Sequence, residues 1–260
     1  MLKKETQKEI NAELDKALAL LKKSFGFEII RPNLRIGDKY SSQFIEISSM
    51  RDWARSTQIQ MAYDVDGNSI FVPDIMTFKR DWPKQNYDKI HRIYCFLHEC
   101  VHAFLSQKNP QFKNIDTLFE SKLKSENEKG QVCVVFNEGT ADYIAIQSAW
   151  QSDDSFLVEY AHEKHEDIMD GWNEWLSSRG FALLAQVNHL EPNEWQEVLY
   201  RHFQRSFGII LAHKYLIGYI FMHTVRPGID DILRMINLPP RKIRHLLWPK
   251  VYLKKLKGRI

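Results

Sequence analysis

Cys95-Phe96-Leu97-His98-Glu99-Cys100-Val101-His102-Ala103-Phe104 is the stretch on which the reading of this chain turns. It lies within a segment from about Asp88 to Ser106 in which Ile90, Ile93, Leu97, Val101 and Leu105 recur at three- and four-residue intervals, so the spacing predicts a helix. Residues four apart on a helix share a face, and His98 and His102 are four apart. Two imidazoles on one face can reach a single metal ion. Glu99, beside the first of them, is free to act as a base next to that ion rather than as a ligand. Phe96, Cys100, Val101 and Ala103 are uncharged, which suits a helix packed into a core on its other sides. The plain alternative is a helix whose histidines are ordinary surface or core residues, and the H-E-x-x-H string alone arises by chance in on the order of a few chains per hundred.

A metal that does chemistry needs a third protein ligand and an open position. Downstream, Asn137-Glu138-Gly139-Thr140-Ala141-Asp142 falls in a segment whose pattern predicts a helix over 131–149, and Glu138 and Asp142 again stand four apart. Together the two segments resemble the active site of the gluzincins, the HExxH zinc metallopeptidases of thermolysin-like and alanyl-aminopeptidase-like type. Their third ligand is a helical Glu followed four residues later by an Asp, written N-E-x-x-S-D in thermolysin-like members. This chain keeps Asn137, Glu138 and Asp142 and has Ala141 where Ser is usual. The 36 residues from His102 to Glu138 exceed the spacing in those families, and the polar segment 109–130 accounts for the excess.

The resemblance implies a zincin-like active-site helix and Zn2+ held by His98, His102 and Glu138. It implies Glu99 as acceptor of a proton from a zinc-bound water, and Asp142 as acceptor of a hydrogen bond from the non-ligating nitrogen of His98. It further implies a Tyr or His that donates to the developing oxyanion. In His213-Lys214-Tyr215-Leu216-Ile217-Gly218-Tyr219, Tyr215 precedes Gly218 by three, as in the Y-x-x-G of the alanyl-aminopeptidase family. Tyr215 is the first choice, then His213 and Tyr219. Glu138 to Tyr143 with Tyr215 to Tyr219 is also similar to the E-G-x-A-x-Y and Y-x-x-G-Y pairing of uncharacterised predicted zinc peptidases. The alternative for these aromatics is packing in a buried helix, with Gly218 permitting close approach. A Gly-x-Met-x-Asn segment that would recognise a free amino terminus is missing, which favours endopeptidase action.

Working outward, residues 5–25 place Ile10, Leu14, Ala17, Leu18 and Leu21 on one helical face, and Gly26 stops that helix. Short apolar runs follow at Phe27–Ile30, Phe44–Ile47, Ile59–Tyr63 and Ser69–Val72, the last two flanking the hairpin signal Asp66-Gly67. The Ser69–Val72 or the Ile59–Tyr63 run is a candidate edge on which a peptide could add as a strand. After Pro83 the periodicity is helical, with further helices expected at 155–177, 193–206, 208–225 and 229–237. The fold class is therefore α+β: a small N-terminal antiparallel β-sheet and a mainly helical C-terminal portion, with no linker between them. It is read as one catalytic domain over 1–260, made of a helix-and-sheet lobe (1–83), a helical lobe with the metal site (84–240) and a basic tail (241–260).

The net charge of +3 conceals an asymmetry, for residues 241–259 hold eight of the 36 basic residues and no acid, leaving 28 against 33 acids elsewhere. The tail interleaves Leu246, Leu247, Trp248, Val251, Tyr252 and Leu253 with its charges, which favours docking on the domain over a weak anionic partner such as nucleic acid or a membrane surface. His162-Glu163-Lys164-His165-Glu166 reads as a solvated helix face. Three cysteines in apolar stretches suit a reducing compartment, and neither a signal peptide nor an apolar run of membrane-spanning length is evident, so a cytoplasmic location is expected. The leading expectation is a zinc peptidase acting on peptide or protein substrates; the alternative is a non-catalytic zinc-binding interaction module.

Overall fold

The structure, a computed structural model, describes residues 4–41, 60–81, 88–113, 124–178 and 214–258. The strand expected at Phe44–Ile47, the helix at 193–206, and His213 lie outside these residues. The architecture is the expected α+β one, a small N-terminal sheet followed by helices. The chain divides into two compact units, one of Met1–Gln107 with Ile144–His162 and the other of Lys108–Tyr143 with Glu163–Ile260.

In the first unit, helix α1 (Lys4–Phe25) buries Ile10, Leu14, Ala17 and Leu21 as its periodicity requires. It ends where Gly26 turns to a φ of 65° and donates its N–H to the Lys22 carbonyl at 2.9 Å. The segment after it, expected as a strand at Phe27–Ile30, has no regular structure. There Phe27 stacks on Phe104 with ring centroids 3.8 Å apart, and Gln107 bonds both backbone groups of Ile30, at 2.9 and 3.0 Å. Side-chain partners thus replace the ladder that a strand would need.

Strands β1 (Asn33–Gly37), β2 (Ala62–Asp64) and β3 (Ser69–Pro73) form one sheet in the order β1-β3-β2. β2 and β3 make the antiparallel hairpin that Asp66-Gly67 signals, with Asp64 opposite Ser69, and β1 joins β3 on its other side in parallel. A Cβ at Gly67 would lie 2.5 Å from Asp64 Oδ2, the atom that accepts the Gly67 N–H at 3.2 Å, while the left-handed backbone falls on Asn68, at φ 41°. All five residues of β3 are buried and both its edges are paired, so Ser69–Val72 cannot receive an added strand; among the described residues β1 and β2 are the outer strands.

Helix α2 (Ile75–Asp81) follows, and then α3 (Lys89–Lys108), whose first turn is capped by Asp88 Oδ1 accepting from the His91 N–H at 2.9 Å. Arg92 on α3 makes a two-pronged bond to the buried Glu13 of α1, at 2.6 and 2.7 Å.

Helix α4 (Lys124–Trp150) begins well before residue 131, so part of the segment read as a polar insertion is helical, and Pro110–Phe112 forms a 3-10 turn with Phe112 buried. The early start is supported in the second unit by Glu128, whose carboxylate accepts the Ile243 N–H at 3.1 Å. Beyond Gly130, α4 is buried almost all round, as a helix through the middle of a core must be. Helices α5 (Ser155–Ser178), α6 (Lys214–Val225) and α7 (Ile229–Asn237) match the expected segments where they are described. The tail forms two short helices, α8 (Ile243–Leu247) and α9 (Pro249–Lys257). Ile243, Leu246, Leu247, Tyr252 and Leu256 are buried and Arg241, Lys242, Arg244 and Lys254 are exposed, so the tail docks. No helix of the described residues is long and apolar enough to cross a membrane.

Candidate metal centre

On α3 the partly open positions between Arg92 and His102 are Arg92, Cys95, His98 and His102, which make one stripe at helical spacing while the rest of that stretch is buried. Packing on the other sides, by Phe96, Leu97, Cys100, Val101 and Ala103, fixes the helix so that both imidazoles leave from the same open face. Their Nε2 atoms approach to 2.9 Å, with ring centroids 4.6 Å apart and planes at 78°. Glu99, next to His98, is only 8% exposed.

On α4 the open positions in the corresponding stretch are Asn137 and Glu138, and everything from Gly139 to Ile146 is buried. One ligand atom from each of His98, His102 and Glu138 can be chosen such that all lie within 4.8 Å of one another. Around a four-coordinate zinc with bonds of about 2.0–2.1 Å, ligand atoms stand roughly 3.3 Å apart, the same scale as this set. Two neutral imidazoles and one carboxylate are also a common donor set for a divalent transition metal. The residues fit a metal. Asp142 is one turn beyond Glu138 on α4 and buried.

The second unit sets the surroundings of Glu138. Helices α4 and α6 cross with their backbones in contact at Gly139 and Gly218, where a Cβ on Gly139 would lie 2.0 Å from the Gly218 carbonyl carbon and a Cβ on Gly218 would lie 2.1 Å from the Val135 oxygen. That crossing brings the first turn of α6 beside Glu138. Lys214 Nζ forms an ion pair with Glu138 Oε1, and the same ammonium stands 4.7 Å from the centre of the Tyr215 ring. Tyr215 is 38% exposed.

Tyr219, one turn on, is different: it is fully buried, and its hydroxyl is 2.7 Å from His165 Nδ1 on α5. Burial, with Tyr143 and Asp142 nearby, pushes its phenol far above the ordinary value. His223 stacks on the Tyr219 ring at 5.9 Å and is held below the ordinary histidine value by burial and by His165 and Arg226. His165 therefore belongs to a packed aromatic cluster and not to a solvated face. The charged neighbours Glu163, Lys164 and Glu166 mask it in the sequence. Sequence reasoning also missed Lys214, which lies in the motif read only for its Tyr and His. Its place one turn before a glycine that meets Gly139 is visible only in three dimensions.

The cysteines hold no metal cluster among the described residues. Burial pushes the Cys133 thiol up to about 11 and that of Cys100 higher still, so both stay protonated and behave as small apolar groups. No protein-family model matches the chain, and no curated protein or solved structure does either.

Proposed function

We propose that this protein is a zinc-dependent peptidase that hydrolyses peptide bonds. The observation that carries the reading is the convergence of His98, His102 and Glu138 to within 4.8 Å, with Glu99 beside His98. A bound Zn2+ would supply Lewis acidity and make a coordinated water acidic enough to lose a proton near neutral pH. Glu99 would take that proton on its carboxylate and return it to the departing amide nitrogen. On this reading Asp142 would accept a hydrogen bond from the non-ligating nitrogen of His98 and so fix the tautomer that leaves Nε2 free to ligate. Tyr215, half-exposed in the first turn of α6, donates its O–H to the developing oxyanion. Tyr219 is a poorer donor because its hydroxyl is engaged by His165. The free thiols support a cytoplasmic site of action.

Elemental analysis of purified wild type beside His98→Ala and Glu138→Ala is the test of the metal. About one zinc per chain is expected in the wild type and a marked loss in both variants. Glu99→Gln should keep the zinc and lose cleavage of a peptide library by on the order of a thousandfold or more. Zinc bound by the wild type with no cleavage of any peptide would transfer the reading to a non-catalytic zinc-binding module.

A further inference from the structure

Glu138 has a neighbour that its role as a ligand does not require. The Lys214–Glu138 ion pair is partly withdrawn from water, the two side chains being 25% and 13% exposed. The Lys214 ammonium also lies over the Tyr215 ring, 4.7 Å from the centroid, a second contact that favours the same position. Its backbone is placed by the α4–α6 crossing: Lys214 is one turn before Gly218, and Glu138 adjoins Gly139, the two glycines in direct contact.

A carboxylate offers two oxygens, and an ammonium fixed on one of them sets the plane and rotamer of the whole group. An unheld Glu side chain must give up the freedom of three torsions to ligate, whereas a held one has already done so. Resting on the metal-site reading above, we propose that Lys214 is a positioning residue for the metal ligand, taking Oε1 of Glu138 so that the carboxylate is oriented for the ion before the ion arrives. An ammonium near a dication also repels it. At 25% and 13% exposure water screens that repulsion only in part, and the proposed role requires the ordering effect to outweigh what is left. The balance has an observable sign, because ordering predicts that removing the ammonium weakens metal binding and repulsion predicts that it strengthens it.

The experiment is zinc affinity of the full-length apoprotein, measured by competition with a chromophoric chelator, for wild type, Lys214→Met, Lys214→Arg and His98→Ala. Far-UV circular dichroism reports the fold of each. Lys214→Met is expected to bind zinc roughly tenfold to a hundredfold more weakly, the usual effect of losing an outer partner of a ligand. Lys214→Arg, which keeps a cationic donor, should recover most of the affinity, and the visible bands of bound cobalt(II) should shift in the methionine variant and return in the arginine one. Lys214→Gln replaces the methionine variant if that one does not fold, with the same weakening expected. Unchanged or tighter zinc binding on loss of the ammonium would overturn the role of Lys214 while leaving the metal site standing, provided the wild type binds and His98→Ala does not. A wild type that binds no zinc would overturn both.

Discussion

Lys39 and Asp81 show how much a single charged contact can decide. The Lys39 side chain has no exposed surface, and its ammonium is 2.9 Å from Asp81 Oδ2, itself on a 5% exposed side chain that also accepts the Tyr40 hydroxyl at 2.7 Å. Burial pushes the Asp81 carboxyl upward, but the Lys39 and Tyr40 hydrogen bonds and the charges of Lys39 and Arg80 outweigh it and hold the group below the usual carboxylate range. Lys39→Met leaves a buried carboxylate without its main counter-charge, and a loss of about 3–5 kcal/mol is expected in urea unfolding at neutral pH. Because the folded-state pKa is the lower one, the stabilisation from Asp81 is complete above its unfolded value of about 3.9 and disappears as pH falls through the folded value. The gap in stability between wild type and Asp81→Asn should therefore close in acid. A gap independent of pH would mean that the ion pair is not what Asp81 contributes.

At the scale of the element, α1, α3, α5, α6 and α7 were legible from apolar periodicity, whereas α2, the early start of α4, the tail helices and the contacts between helices were not. The spacing of Ile93, Leu97 and Val101 gives α3, and H-E-x-x-H then puts two histidines on one face without any knowledge of the rest. Gly218 was readable as a site of close approach, but its partner Gly139 stood in the sequence only as the residue after a candidate ligand. Nothing in either helix by itself says that they cross there. The crossing makes an unusual prediction, since Gly→Ala inside a helix ordinarily gains up to about 1 kcal/mol from propensity. At Gly139 the added methyl would sit 2.0 Å from backbone that cannot give way, so Gly139→Ala should lower stability by about 1–3 kcal/mol or more and weaken zinc binding with it. Gly171→Ala on α5 is the control: its methyl would meet only the tip of Leu216, at 3.4 Å, and the propensity gain should survive. Equal thermal stability of the two variants would deny that the backbones touch.

Across the whole molecule, the order of a small sheet followed by helices was evident in the change from short apolar runs to helical spacing after Pro83, whereas the use of the tail was a choice between two chemistries. A basic segment with no acid invites an anionic partner, and its apolar residues invite docking; only the helical fold of 243–257 sorts them onto opposite faces. Ile243, Leu246, Leu247, Tyr252 and Leu256 are buried, and the Tyr252 hydroxyl donates to the Leu238 carbonyl at 2.6 Å. At about 1.5–3 kcal/mol for each buried large side chain, their gross contribution is comparable with the whole stability of a typical domain. Deleting residues 241–260 should therefore abolish the cooperative melting of the second unit and open it to protease, which makes truncation a poor way to look for a binding partner. Charge reversal of the exposed Arg241, Lys242, Arg244 and Lys254 separates the two roles, since these residues can change sign without emptying the core. The tail as a docked element predicts near-normal melting of that variant and no salt-sensitive binding of anionic vesicles or nucleic acid by the wild type. If the wild type did bind such a polyanion, with an affinity that fell steeply with salt and vanished in the reversed variant, the exposed face would have a function of its own beside the packing of the buried one.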